Sequence, residues 1–354
     1  MNYSERLKKL LEKTIQENAS DLHFSVDHPP ILRITGKLIP LIKEETLMPE
    51  NTEAFAFSLM TNVQKEEFLK KKEIDFSYNF EDKARFRINI FFQRGNVSTS
   101  LRLIPKKVKT IEELNLPAVL HRFTEKTQGF VLITGASSQG KSTTLAALID
   151  EINHTKPCHI ITIEDPIEYV FEDDKAIVDQ REVYQDTLSF TRALRSTFRQ
   201  DPDVIMVGEM RDLETISIAL TAAETGHLVF ATLHTNSAAQ AIHRIVDVFP
   251  AEQQNQIRSQ FSTSLLGIVS QRLIPRLKGG LIPACEVMIC TPAVANLIRE
   301  NKIHEMPAII ETSKGVGMIS FNRCLADLVR KGEVSLQDAL FYSFSPVELK
   351  GMLR

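Results

Sequence analysis

The sequence predicts an α/β protein in two parts: a small α+β domain, then a doubly wound domain with a parallel sheet and a helical C-terminal end. Two observations carry this. From about residue 118, four apolar, β-branched runs ("GFVLITG", "HIITIED", "DVIMVGE" and "HLVFATLHT") alternate with helical stretches, as strands covered on both faces do. In the first hundred residues the strands instead alternate apolar and polar side chains, the mark of a sheet buried on one face.

In chain order, "MNYSERLKKLLEKTIQENASD" reads as an amphipathic helix over 4–17 and not as a signal peptide. "DLHFSV" and "PPILRITGKLIPL" read as two strands broken by Pro29-Pro30, and one helical stretch covers about 50–71. "EIDFSYNF", "RFRINIFFQRG" and "VSTSLRLIP" are strands. In the second of these, Arg85, Arg87 and Asn89 share one face while Phe86, Ile88 and Ile90 share the other, giving a half-buried strand with a basic surface. The polar "KKVKTIEELNLP" reads as a linker. The expected division is therefore 1–105, linker 106–117, and 118–354, with the chain mostly helical after about 255.

The chain has 354 residues, enough for more than one domain, and its 43% hydrophobic and 25% charged composition is that of a soluble globular protein. A net charge of −3 gives nucleic-acid binding no support, and none is expected. The cysteines, Cys158, Cys285, Cys290 and Cys324, contain no C-x-x-C pair, which argues against a zinc ribbon and for reduced thiols. No apolar run reaches the roughly 20 residues that span a bilayer, so a cytoplasmic protein is expected.

The chemistry concentrates in "FVLITGASSQGKSTTLAALI" (130–149). A buried strand stops at Gly135, small and polar residues follow, and a helix restarts after Gly140-Lys141-Ser142. In this G-x-x-x-x-G-K-S pattern, inward-pointing backbone N–H groups and the positive end of the helix cradle phosphate oxygens. Lys141 reaches the β- and γ-phosphates and Ser142 ligates Mg²⁺. The nucleotide-contacting set is Gly135, Ser137, Ser138, Gln139, Gly140, Lys141, Ser142 and Thr143. The other core strands each end in a polar residue at the edge where such sites form. They deliver Glu164, Glu209 and, from the last, His234 and Thr235. Glu209 follows Gly208, where many ATPases carry Asp, and is the candidate for orienting and deprotonating the attacking water. Glu164 is the candidate for holding Mg²⁺-bound water or positioning the nucleophile. His227 and His234 lie seven apart, over roughly 20 Å in an extended strand, so they cannot share a metal. His234 sits at the phosphate end, where it would sense the γ-phosphate, and His227 at the far end, suited to an interface.

Taken in order, "GxxxxGKST", "ITIEDPIEY", "RQDPDVIMVGEMRD" and "ETGHLVFATLHTNSA" resemble the Walker A loop, Asp box, Walker B and His box of the secretion ATPases. "SDLHFSVDHPPILRITGKL" extends the likeness toward the N-terminus, and the pattern is closest to the type IV pilus retraction branch, PilT- and PilU-like. The resemblance implies a PAS-like N-terminal domain on a RecA-like ATPase domain, ATP and Mg²⁺ as cofactors, and a hexameric ring. It also implies a membrane platform partner of the PilC kind, room for a paralogous retraction ATPase as a further partner, and a place at the inner-membrane pilus base. The fifteen-residue spacing of Arg87 and Arg102 matches the arginine pair that these ATPases point at the γ-phosphate. The four-cysteine motif and longer N-terminal region of the assembly branch are missing. Two departures stand out. The family's GPTGSGKS loop here holds Ala136, Ser137, Ser138 and Gln139, and "AVANLIRE" has Ala295 where the family has arginine. The second leaves room for an accessory, PilU-like retraction ATPase.

Overall fold

The computed structural model describes residues 3–34, 36–81, 83–104 and 107–354. The chain divides into two compact units, Met1–Lys107 with Pro166–Val170, and Val108–Asp165 with Phe171–Arg354. The predicted boundary at 105/106 lies outside the described residues.

In the first unit, α1 (Tyr3–Gln16) precedes β1 (Asp21–Phe24), β2 (Ile31–Ile34) and β3 (Lys37–Pro40). Then come α2 (Pro49–Leu59), α3 (Asn62–Lys71), β4 (Glu73–Phe80), β5 (Ala84–Gln93) and β6 (Asn96–Ile104). The strands form one antiparallel sheet in the order β3-β2-β1-β6-β5-β4. Helix α1 buries Leu7, Leu10, Leu11 and Thr14, the three- and four-residue spacing that puts side chains on one helical face. Phe86, Ile88 and Ile90 of β5 are fully buried and Arg85, Arg87 and Asn89 are not, as the alternation predicts. Each large apolar side chain so buried contributes about 1.5–3 kcal/mol. Two details differ from the sequence reading. The 50–71 stretch is two helices, because Thr61 caps the second through a reciprocal pair: Gln64 N donates to Thr61 Oγ1 (3.3 Å) and Thr61 N to Gln64 Oε1 (2.8 Å). The N-terminal strand pair is three strands, because a chain reversal near Gly36 (φ 82°) folds β3 back on β2.

The second unit continues with α4 (His121–Thr124), β7 (Gly129–Thr134), α5 (Lys141–Thr155), β8 (His159–Glu164), β9 (Ile177–Glu182), α6 (Phe190–Thr197) and β10 (Val204–Val207). After these come α7 (Leu213–Glu224), β11 (Leu228–Leu233), α8 (Ala238–Asp247), α9 (Ala251–Ser264), β12 (Leu265–Pro275) and β13 (Leu281–Ile289). Helices α10 (Pro292–Arg299), α11 (Met306–Thr312), α12 (Phe321–Arg330), α13 (Leu336–Tyr342) and α14 (Pro346–Leu353) end the chain. The sheet order is β13-β12-β7-β11-β10-β8-β9. Strands β7, β8, β10 and β11 are parallel, and β7, β10 and β11 are buried along their whole length, as their uninterrupted apolar runs predict. This is the doubly wound arrangement read from the sequence.

The stretch after 255 is less helical than predicted, since β12 and β13 pair as a long antiparallel hairpin and β12 joins the sheet beside β7. Gly267 and Pro275, which blur the strand signal, are accommodated: the register shifts between Leu265 and Gly267, and Pro275 ends β12. Edge strand β9 also escaped the sequence reading, because "IVDQRE" is charged and half-exposed. Among the described residues no helix is long and apolar enough to cross a membrane.

Candidate active site

Because β7, β8, β10 and β11 run parallel and side by side, their C-terminal ends share one edge of the sheet. The loop from Gly135 to Gly140 leaves β7 at that edge. Glu164 ends β8, Glu209 lies two residues past β10, and His234 follows β11 directly. The structure therefore brings the phosphate-loop residues, Glu164, Glu209 and His234 to one place.

The loop is shaped by backbone that few residues adopt. Gly135 has φ 152°, Gly140 has φ 80°, and Ser138, not a glycine, has φ 61°. Gly140 is the N-cap of α5 and has no side chain with which to cap that end. The helix thus presents its first turn to the loop, the arrangement that suits an anion. Lys141 is buried (8% exposed), and its Nζ donates to Gly135 O and Ala136 O, both at 2.9 Å. Ser142 and Thr143 are half-buried on the same turn.

Glu164 is buried at 7% exposure and held from two sides. Thr162 Oγ1 donates to its Oε1 (2.7 Å), as does Gln180 Nε2 of β9 (3.2 Å). Glu209 accepts from Arg211 Nη2 (2.8 Å) and lies 3.2 Å from His234 Nε2. Burial alone would push the Glu209 carboxyl up. The Arg211 bond, with the charges of Arg211, His234 and Lys141, outweighs it and holds the group below its usual range. A carboxylate held this way stays ionised and accepts protons poorly, so it is better suited to orienting water than to removing its proton. Gly208, where many ATPases carry Asp, has a packing reason: a Cβ there would sit 3.1 Å from Ile163 O and 3.4 Å from Glu164 Cα.

Thr235 Oγ1 is buried and has no hydrogen-bond partner among the described residues. It follows His234 at the same edge, a polar atom of the kind a bound nucleotide would satisfy.

His227 is not part of this cluster. It precedes β11 at the opposite end, where its Nδ1 lies 2.9 Å from Ala222 O and its ring packs edge-on against Phe198. Arg87 and Arg102 belong to the first unit, where they are register partners on β5 and β6. Arg102 Nε donates to Asp21 Oδ1 (2.9 Å), and Arg87 Nη1 lies 3.9 Å from Glu168.

One residue that sequence reasoning missed is Gln271. It is 2% exposed on β12, directly behind the loop. Its Nε2 donates to Gln139 O (2.6 Å), its Oε1 accepts from Thr144 Oγ1 (2.8 Å), and its carbonyl would lie 2.6 Å from a Cβ at Gly135. No local signal marks it, since it sits more than a hundred residues from the loop in a strand that was not predicted.

Comparison with known proteins gives the family. The family described as type II/IV secretion system proteins matches residues 3–316. The type IV pilus retraction ATPase PilT of Pseudomonas aeruginosa is 49% identical over 333 residues, 94% of this chain and 96% of that one. The type IV pilus ATPase PilU of the same organism is 40% identical over 348 residues, 98% and 91% of the two chains. The crystal structure of the pilus retraction motor PilT with bound ADP matches at a TM-score of 0.91 and 45% identity, covering 97% of this chain and 98% of that one. The chain therefore belongs to the type II/IV secretion system ATPase family and is similar to its pilus retraction members.

Proposed function

We propose that this chain is the ATP-hydrolysing motor of type IV pilus retraction, working as a homo-hexamer. The observation that carries the reading is a likeness that spans both units. At 49% identity over 94% of the chain, it includes the first unit as well as the ATPase core. A likeness confined to the core would support hydrolysis and leave open what hydrolysis drives. An accessory, PilU-like role has less support, at 40% identity.

At the site, the loop backbone and the α5 N-terminus hold the phosphates, and Lys141 exchanges its loop carbonyls for phosphate oxygens. Bound Mg²⁺·ATP supplies the transferable phosphoryl group and a divalent charge. Ser142 is the residue to ligate the metal and Glu164 to hold one of its waters. Among the described residues no cluster of His, Cys, Asp or Glu forms a metal cage, so a metal here would depend on phosphate, hydroxyl and water oxygens, as magnesium with nucleotides does. Glu209 orients the attacking water and His234, against it, senses the γ-phosphate. Arg87 and Arg102 of the first unit are the arginines that this reading assigns to the γ-phosphate oxygens. The partners of this reading are a PilC-like membrane platform protein and a paralogous retraction ATPase, at the cytoplasmic base of the pilus.

The test is deletion and complementation. Cells without the gene should carry pili and fail to twitch; the wild-type gene should restore movement and a Lys141→Ala allele should not. Normal twitching in the deletion strain, or a Lys141→Ala protein with wild-type turnover, overturns the reading.

A further inference from the structure

The phosphate loop contains a residue at odds with its backbone. Ser138 is held at φ 61°, in the left-handed region where a Cβ crowds the following carbonyl and glycine is the ordinary occupant. Such a conformation persists only where the surroundings over-determine it. Here the surroundings are two glutamine side chains. Gln139 sends Nε2 toward Ser137 O (3.5 Å) and accepts from Leu273 N at Oε1 (2.8 Å). Gln271 donates from Nε2 to Gln139 O (2.6 Å) and accepts from Thr144 Oγ1 on α5 (2.8 Å). The carbonyls on either side of Ser138 are thus each bound by an amide, and both amides are anchored in turn, one to the β12 backbone and one to the helix that the loop feeds.

We propose that Gln139 is a positioning residue for nucleotide binding: with Gln271 it clamps the loop to β12 and holds Ser138 in the left-handed conformation that keeps the cradle open to phosphate. Its side chain is engaged by the backbone of β12 and of the loop, so it acts on the shape of the cradle. The proposal rests on the nucleotide-site reading given above. It also ties the loop to the C-terminal helices, because Ile274, next to Leu273, packs in a core with Phe321, Leu325 and Leu349.

The strain makes the proposal testable by a cycle. Gln139→Ala removes the β12 anchor while Ser138 still resists its conformation. Ser138→Gly removes the resistance. The dissociation constant for a fluorescent ADP analogue, with KM and kcat for ATP, should be measured for wild type, each single variant and the double variant. With Ser138 in place, Gln139→Ala should weaken binding and raise KM about five- to tenfold, the scale of one left-handed residue no longer held. The effect on kcat should be smaller. In the Ser138→Gly background the same change should cost less than about twofold. Thermal unfolding of each variant checks that the fold is kept, which the half-exposed position of Gln139 favours. Equal cost in both backgrounds, or unchanged binding in Gln139→Ala, overturns the proposal. Failure of the wild-type protein to bind the analogue would instead overturn the nucleotide site itself.

Discussion

Arg87 and Arg102 face each other across β5 and β6 as direct register partners. The two-residue turn at Arg94-Gly95 fixes this. Both residues have positive φ (49° and 81°), as in the tight hairpin turn that matches strand twist, and Gln93 then pairs with Asn96 and every rung behind follows. Two guanidinium groups directly opposite repel one another unless an anion lies between or beside them. Asp21, 5% exposed at the side chain, holds Arg102 at Nε and lies 3.5 Å from Arg33 on its other side, leaving the tip nitrogens of Arg102 outside that bond. In the proposed function the pair serves as an anion grip; in the structure Asp21 beside Arg102 and Glu168 beside Arg87 balance part of its charge.

If that grip serves the γ-phosphate, Arg87→Ala and Arg102→Ala should each lower turnover at saturating ATP to below about a tenth of wild type, with the hexamer intact by mass. Full activity in both variants would return attention to Arg195 and Arg199. The first of these is paired with Glu214 in the structure and so is less available.

Glu209→Gln should bind nucleotide with near-wild-type affinity and hydrolyse it about a hundredfold or more slowly, since the change keeps shape and removes charge. The pH dependence has a definite sign. The carboxyl is held below its usual 4.5, so its ionised form, and whatever depends on it, persists as pH falls past that value. An acid limb of kcat/KM, which reports the free enzyme, at or above 4.5 belongs to another group. Should Glu164→Gln behave this way while Glu209→Gln turns over normally, the two roles exchange.

His121 provides a second, independent pH test. Its ring lies between Glu151 of α5 (2.8 Å) and Glu112 of the 108–117 segment (2.7 Å), and Thr124 also bonds Glu151. The hydrogen bond to Glu151 raises its pKa above 6.5; burial opposes and Glu112 adds to it. A raised folded value means that the stabilisation is complete below 6.5 and is lost as pH rises through the folded value. The melting temperature of wild type minus that of His121→Gln should therefore shrink on going from about pH 6 to about pH 8.5. A difference that grows with pH contradicts the clasp.

Ala295 lies half-buried on α10, outside the phosphate site. Ala295→Arg, which puts arginine where the resemblance expects it, should increase retraction in cells while leaving ATPase activity in solution unchanged if this position couples the motor to its partner. Unaltered retraction in cells carrying Ala295→Arg counts against a coupling role for this position.

The sequence by itself determined what depends on neighbours in the chain. A buried strand that ends in Gly135 and restarts as a helix at Lys141 specifies the phosphate loop, because strand, turn and helix N-terminus are local. The alternation in "RFRINIF" specified a basic face and a buried face on β5, because side-chain direction has a period of two. The parallel strands placed Glu164, Glu209 and His234 at one edge by the same kind of rule. What only the tertiary structure decided depends on residues distant in sequence meeting in space. Gln271 reaches the loop because β12 inserts beside β7, and the β12–β13 hairpin, punctuated by glycine and proline, gave no clean periodicity to announce it. The lowered pKa of Glu209 owes most to Arg211, two residues on in the same loop, but the charges of His234 and Lys141 add to it only because other elements bring them to the same edge. Periodicity can be read along a chain; hydrogen bonds and charge pairs between elements are fixed only when packing sets their distances.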